Sequence, residues 1–152
     1  MKWLKLVLVI VLAGFLGRAV WQRYFVSEET RIKRVIARGE QAVEEGNLLK
    51  LEGVLTADYS DQYGLDKSSA LGAVRQFRTQ YPSVFIHISD LAITVGDDRQ
   101  TAQATLIARV LAGPAEDPAA TEIRNERLRV HLRQTDQGWK VFRVETPELK
   151  FD

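Results

Sequence analysis

The chain has 152 residues, with 21 Lys and Arg against 20 Asp and Glu, two His and no Cys. That length accommodates one domain plus an accessory segment rather than two domains. Residues 1–26 hold four of the basic residues (Lys2, Lys5, Arg18, Arg23) and no acid, so residues 27–152 keep 17 basic and 20 acidic groups, a net of −3. The globular part therefore lacks the basic excess of a nucleic-acid binder. The absence of Cys excludes disulfides, thiol nucleophiles, thiolate zinc sites and iron–sulfur ligation.

Trp3 to Trp21 is a stretch of 19 residues dominated by Leu, Val, Ile and Ala. As a helix it measures about 28 Å at roughly 1.5 Å per residue, close to the hydrocarbon core of a bilayer. Lys5 and Arg18 lie near its ends, where basic side chains snorkel to headgroups. Trp3 at one edge, with Trp21 and Tyr24 at the other, form an interfacial belt. Residues 1–26 thus read as a retained membrane anchor ahead of a domain over 27–152. Two other readings stay open, a peripheral or buried helix and a cleaved signal. The uninterrupted apolar run, Leu6 to Gly17, is only 12 residues, and Gly17-Arg18-Ala19 has small residues at a signal-peptidase spacing. Leu12-Ala13-Gly14-Phe15 matches a lipoprotein box with Phe where the lipidated Cys belongs. Lys2 and Lys5 favour an inside N-terminus, whereas Arg31, Lys33, Arg34 and Arg38 favour an inside domain. The basic N-terminus suits a signal anchor, which places the domain on the periplasmic side of an inner membrane.

Ser27 to Glu45 carries Ile32, Val35, Ile36, Ala42 and Val43 at helical spacing. Ser27 is a cap, Glu28 and Glu29 suit the positive end of the helix dipole, and Gly46 ends the helix. Asn47 caps a second helix with Leu48, Leu51, Val54 and Leu55. Asp58 to Asp66 reads as a polar loop. A third helix runs from about Lys67 to Tyr81, capped by Asp66 and stopped by Pro82, with Leu71, Val74, Phe77 and Tyr81 on one stripe.

The period then changes to two. Val84, Ile86 and Ile88 alternate, and Leu91, Ile93 and Val95 alternate with the opposite parity. A one-residue bulge at Ser89-Asp90 keeps both sets on one face. Gly96 to Arg99 is a hairpin turn. Thr101 to Leu111 turns Ala102, Ala104, Leu106, Ala108 and Val110 to one face. Residues 112–120 form a loop. Ile123 to Gln134 places Leu128, Val130 and Leu132 inward and Arg127, Arg129, His131 and Arg133 outward. A turn at 135–138 leads to a last strand from Trp139 to Thr146. Helices followed by an antiparallel meander with one apolar face make an α+β domain.

This order, with Asp58-Tyr59-x-Asp61-x-x-Gly64 between helices and Gly138-Trp139-Lys140-Val141 in the last hairpin, resembles the nuclear transport factor 2-like superfamily. It is similar in particular to bacterial envelope members with an N-terminal signal or anchor. The resemblance covers roughly residues 28–146. It implies three helices packed on a strongly curved antiparallel sheet, a cone that often has a pocket inside. Superfamily members include ketosteroid isomerases, scytalone dehydratase and polyketide cyclases alongside non-catalytic binding modules, so the fold does not choose a function.

The sequence contains no dinucleotide fingerprint, P-loop, nucleophile elbow or zinc-protease motif. His87 and His131 both fall opposite the apolar set, on the outer sheet face, where they could neighbour each other beside Arg129 and Arg133. These four read as a partner-facing surface, with a metal or pH-sensing pair as the sharper alternative. No metal or cofactor is expected. Asp66 reads as a helix cap and Asp61 as a loop hydrogen-bond acceptor. Asp58, nearest the buried helical stripe, is the one carboxylate that could be catalytic, through a pKa raised by burial; the alternative is a structural role. Tyr59, Tyr81 and Trp139 are core residues or, if a pocket exists, its polar lining. The expectation is a membrane-tethered, non-enzymatic module that dimerises or binds an envelope protein through its outer sheet face. The alternative is a small-molecule binder or proton-transfer enzyme with a pocket between helices and sheet.

Overall fold

A computed structural model describes residues 11, 13–14, 16–18, 27–114 and 121–147. The described part of the 3–21 segment is helical and exposed; the rest of the expected anchor lies outside the described residues. Among the described residues no helix is long and apolar enough to cross a membrane.

Each helix starts where a side chain satisfies an otherwise orphan amide. Ser27 Oγ accepts from Thr30 N at 3.2 Å and opens α1 (Glu28–Glu45). Asn47 accepts from Lys50 N at 3.0 Å and opens α2 (Leu48–Val54). Asp66 accepts from Ser69 N at 2.8 Å and opens α3 (Lys67–Gln80). The turn between α1 and α2 needs Gly46, whose φ of 66° is left-handed, and the Asn47 amide closes back on Ala42 O at 2.9 Å.

The strands are β1 (Leu55–Asp61), β2 (Ser83–Val95), β3 (Thr101–Gly113), β4 (Glu122–Thr135) and β5 (Gly138–Glu145). They form one sheet in the order β1-β5-β4-β3-β2. β2 to β5 are an antiparallel meander, and β1 joins β5 in parallel. The bulge expected at Ser89-Asp90 is present: Ser89 pairs with Ile107 but Ala92 with Thr105, so one residue is extra. Asp90 takes the strained position, with φ 52°. Ile88 and Ile93 thereby oppose Ala108 and Ala104, and both apolar sets stay on the inner face.

One expectation is corrected. Leu55 to Asp61 is a strand, not the end of a helix followed by a loop. Its register jumps between Leu55, opposite Val141, and Ser60, opposite Arg143, so the strand lacks clean alternation. Leu55, Thr56 and Tyr59 are buried while Ala57 and Asp58 are exposed. The loop proper is Gln62 to Leu65, where the Asp61 carboxylate accepts from the Tyr63 and Leu65 amides at 2.8 Å each.

The core lies between α1 with α2 and the inner sheet face. Ile32, Ile36, Ala42, Leu51 and Val54 meet Ala102, Ala104, Leu106, Ala108, Val130, Leu132, Trp139 and Val141. α3 buries no residue completely and only leans Ala70, Leu71 and Val74 on this core.

Candidate functional site

The inner row of β3 reads Ala102, Ala104, Leu106, Ala108, Val110. Alanines there leave the sheet surface low, and Gly39 presents no side chain from α1. Where the two meet, a cavity of ≈ 270 Å³ remains. Val35, Ile36 and Val43 line it from α1, Ile86, Ile88 and Ala108 from the sheet, and Leu51, Val54 and Val141 add to its lining. Such a hydrocarbon-lined space offers dispersion contacts to an apolar ligand. Its volume is just under the roughly 300–1,000 Å³ of drug-sized sites, which fits a single ring or a short chain.

Among the described residues one titratable residue lines the cavity, Glu40. It sits four residues past Ile36 and eight past Ile32, on the apolar stripe of α1. Burial pushes its carboxyl above the usual range, the Glu44 charge adds to this, and His87 works in the opposite direction. The neighbouring Glu44 is already occupied, accepting from the Ile86 amide at 2.8 Å.

The residues singled out from the sequence lie elsewhere. Asp58 is exposed on β1 and bonded to Arg133, whose guanidinium holds its carboxyl below the usual range, with Thr56 helping. The elevation that burial would have given it is absent, because Asp58 is exposed on β1. Tyr59 is buried, and burial, with the Asp61 charge, pushes its phenol up to about 12. Tyr81 packs on Phe77, ring centroids 5.1 Å apart. Trp139 is buried under the start of α1, its indole N–H donating to Glu28 Oε2 at 2.6 Å. None of Tyr59, Tyr81 and Trp139 lines the apolar cavity.

The two histidines are not neighbours. His87 opposes Arg109 and His131 opposes Gln103 on the intervening strand β3. Those positions are six residues apart, about 20 Å at roughly 3.3 Å per residue. The paired-histidine metal or pH site is therefore ruled out by register, and among the described residues no group of three metal-ligating side chains forms. His131 belongs instead to a cluster on Glu145. Glu145 takes Arg143 Nε at 2.7 Å, His131 Nε2 at 3.2 Å and Arg129 Nη1 at 3.7 Å. Arg133, paired with Asp58, also lies over the Phe142 ring, 5.1 Å from its centroid. Much of the positive charge expected for a partner surface is thus answered within the sheet.

The sequence reasoning missed Glu40. The available signal was a carboxylate at apolar-stripe spacing next to a mid-helix Gly, opposite an Ala-rich strand.

The site is thus an apolar pocket inside a cone of helices and a bent sheet. No family model matches the chain, and no curated protein matches it in sequence. Solved structures do match. Bd1075 from Bdellovibrio bacteriovorus aligns with a TM-score of 0.66 at 12% identity, over 78% of this chain and 40% of that one. A candidate scytalone dehydratase from Novosphingobium aromaticivorans aligns with a TM-score of 0.69 at 14% identity, over 78% and 81%. A protein of unknown function with a cystatin-like fold from Nostoc punctiforme gives 0.63 at 14% identity, over 80% and 93%. The chain has the nuclear transport factor 2-like fold, the cystatin-like cone.

Proposed function

We propose that this chain is a non-enzymatic binding module, tethered to the inner membrane by residues 3–21 with its domain on the periplasmic side. Its cone takes up a small apolar molecule. The observation that carries the binding reading is the cavity, which among the described residues is lined almost wholly by aliphatic side chains, with Glu40 the one titratable residue. Acid–base catalysis needs a donor and an acceptor within reach of the reacting atoms, and a single carboxylate among aliphatic side chains supplies retention rather than turnover. The tether is supported by the sequence, through the length of the 3–21 segment, its aromatic ends and its flanking Lys and Arg.

The test is photolabelling of the full-length protein in non-ionic detergent with an uncharged aryl diazirine, mapped by peptide mass spectrometry. Adducts are expected on peptides spanning 35–43 and 86–88, and Ala108→Phe should remove them. Adducts confined to residues 3–21 would overturn the reading.

A second reading has one supporting observation. Phe85, Leu111 and Ile123 are cross-strand neighbours on the outer face, and Phe85 and Ile123 are more than half exposed. Such a row suits contact with a second copy or an envelope protein. Concentration-dependent association lost in Phe85→Glu would support it, and a monomer at all concentrations would count against the homodimer.

A further inference from the structure

Arg31, Arg34 and Arg38 stand at i, i+3 and i+7 on α1 and so share one face of the helix. An acid three or four residues along the helix offsets such charges, and a second cation there adds repulsion. Arg34 has Thr30, Arg31, Ala37 and Arg38 at those positions, and Arg38 has Arg34, Val35, Gln41 and Ala42, with no acid in either set. Arg31 pairs with Glu28 at 3.3 Å, whereas among the described residues the Arg34 and Arg38 side chains form no ion pair or hydrogen bond. All three line a hollow of ≈ 390 Å³ between α1 and the hairpin of β4 and β5, which contributes Gln134 and Gln137. No acid is among its described lining residues; Asp136, the acid of that turn, lines a separate hollow with Arg133 and Lys140. Gln137 Oε1 takes Lys140 Nζ at 2.7 Å, which leaves the Gln137 amide N–H groups to donate. Gln134 Oε1 is buried and has no hydrogen-bond partner among the described residues, so one polar group of the lining is unanswered by the protein.

We propose that this hollow binds a phosphate monoester on a small organic body. With Arg31 balanced by Glu28, Arg34 and Arg38 leave two positive charges. A phosphate monoester brings about −1.5 to −2 at neutral pH, with three acceptor oxygens. Guanidiniums meet such oxygens in bidentate, charge-assisted pairs. A carboxylate, with one charge and two oxygens, does not answer both arginines, and a cation is repelled. Val35 and Trp139 add an apolar portion to the lining, against which the carbons of the ester can rest, and Gln134 Oε1 can take a hydroxyl of that body. Two sources offer this chemistry, a soluble phosphate ester and the headgroup of a phospholipid, the second because α1 follows soon after the 3–21 segment in the sequence. The inference depends neither on the apolar cavity nor on the tether.

The experiment follows how fast phenylglyoxal modifies individual arginines of the full-length protein in non-ionic detergent, mapped by mass spectrometry. Arg75 on α3 is the internal control, exposed and likewise without an ion pair among the described residues. Glycerol 1-phosphate and acetate are compared at equal ionic strength, and phosphatidic acid doped into the micelles is compared with phosphatidylcholine. A phosphate monoester is expected to slow modification of Arg34 and Arg38 about tenfold at roughly ten times its half-protecting concentration, with Arg75 unchanged. Protection by glycerol 1-phosphate assigns a soluble source, and protection by phosphatidic acid alone assigns a lipid headgroup; either supports the site. Arg34→Gln is expected to raise the half-protecting concentration at Arg38 by about tenfold, through loss of one charge-assisted pair. No slowing by either monoester overturns the proposal without needing any variant. So does equal slowing at Arg75, which is general screening, or equal slowing by acetate. Protection of Arg38 that Arg34→Gln leaves unchanged overturns it as well.

Discussion

The Glu44 carboxylate on α1 accepts a hydrogen bond from the Ile86 amide of β2 at 2.8 Å, joining a helix to an outer edge of the sheet. Among the described residues no strand lies on the far side of β2, so that amide would otherwise be left to water or to another chain's edge. Replacing Glu44 with Leu removes the acceptor from a part-buried donor, which costs about 1–2 kcal/mol. Glu44→Gln keeps a carbonyl in place and should cost less. Urea unfolding of the full-length protein separates the two. A Leu variant with the parent's midpoint would mean that water replaces the carboxylate freely.

Trp139 makes the corresponding tie at the other end of α1. Its indole N–H donates to Glu28 at 2.6 Å, and the same carboxyl group pairs with Arg31 at 3.3 Å. Trp139→Phe keeps an aromatic ring in the core but deletes the donor and leaves a small void. The expected loss is about 2–3 kcal/mol, from a hydrogen bond to a charged acceptor plus imperfect filling. Glu28→Gln retains an acceptor and should lose less than half of that. A Gln variant as destabilised as the Phe variant would shift the weight to the Arg31 pair.

The pH dependence of stability has components of opposite sign. Asp58 is held below the usual range first by Arg133, and Glu145 first by Arg143 and then by His131. A carboxyl with a depressed folded-state pKa contributes stability above its unfolded value and loses it as the pH falls through the folded one. Both contributions are therefore intact at neutral pH and are lost progressively as the pH falls below about 4. Glu40 is raised by burial, so its contribution is present when it is protonated and is lost as the pH rises through its folded-state pKa. Asp58→Asn should lower the melting temperature at pH 7, and the difference from the parent should shrink as the pH falls below about 4. Glu40→Gln should raise it slightly at pH 7 and not at pH 3. A Glu40→Gln protein less stable than the parent at pH 7 would mean that the folded state favours the charged carboxylate.

The local signals in the sequence were reliable wherever one residue answers one need. Ser27, Asn47 and Asp66 cap three helices because a short oxygen-bearing side chain there is the available partner for an orphan amide. The parity flip at Ser89-Asp90 forced a bulge because a one-residue slip would have turned Leu91, Ile93 and Val95 to solvent. β1 was unreadable for the converse reason: its pairing with β5 is parallel and interrupted, so its side chains obey no period. The cavity was hidden because it is made by absences, at Gly39 on one element and Ala108 on another, which only the packing of α1 over β3 brings face to face. The distance between His87 and His131 depends on the cross-strand register of three strands, information that parity alone does not contain.

Gly39 offers the sharpest test of whether the space in the cone is kept for use. A glycine in a helix interior costs about 0.5–1 kcal/mol relative to alanine, through the freedom it loses on folding. A Cβ added at Gly39 would meet nothing closer than Val54 Cγ1 at 3.8 Å, an ordinary contact, so no steric reason keeps alanine out. Gly39→Ala should therefore raise stability by about 0.5–1 kcal/mol, read as a higher urea midpoint at an unchanged slope. The same methyl narrows the cavity roof, so apolar photolabelling of the peptide spanning 35–43 should weaken, and Gly39→Leu should abolish it. Stability and occupancy moving in opposite directions is the pattern of a site retained at a cost to the fold. If Gly39→Ala is stabilising and labelling does not change, the missing side chain at Gly39 is incidental to occupancy of the cavity.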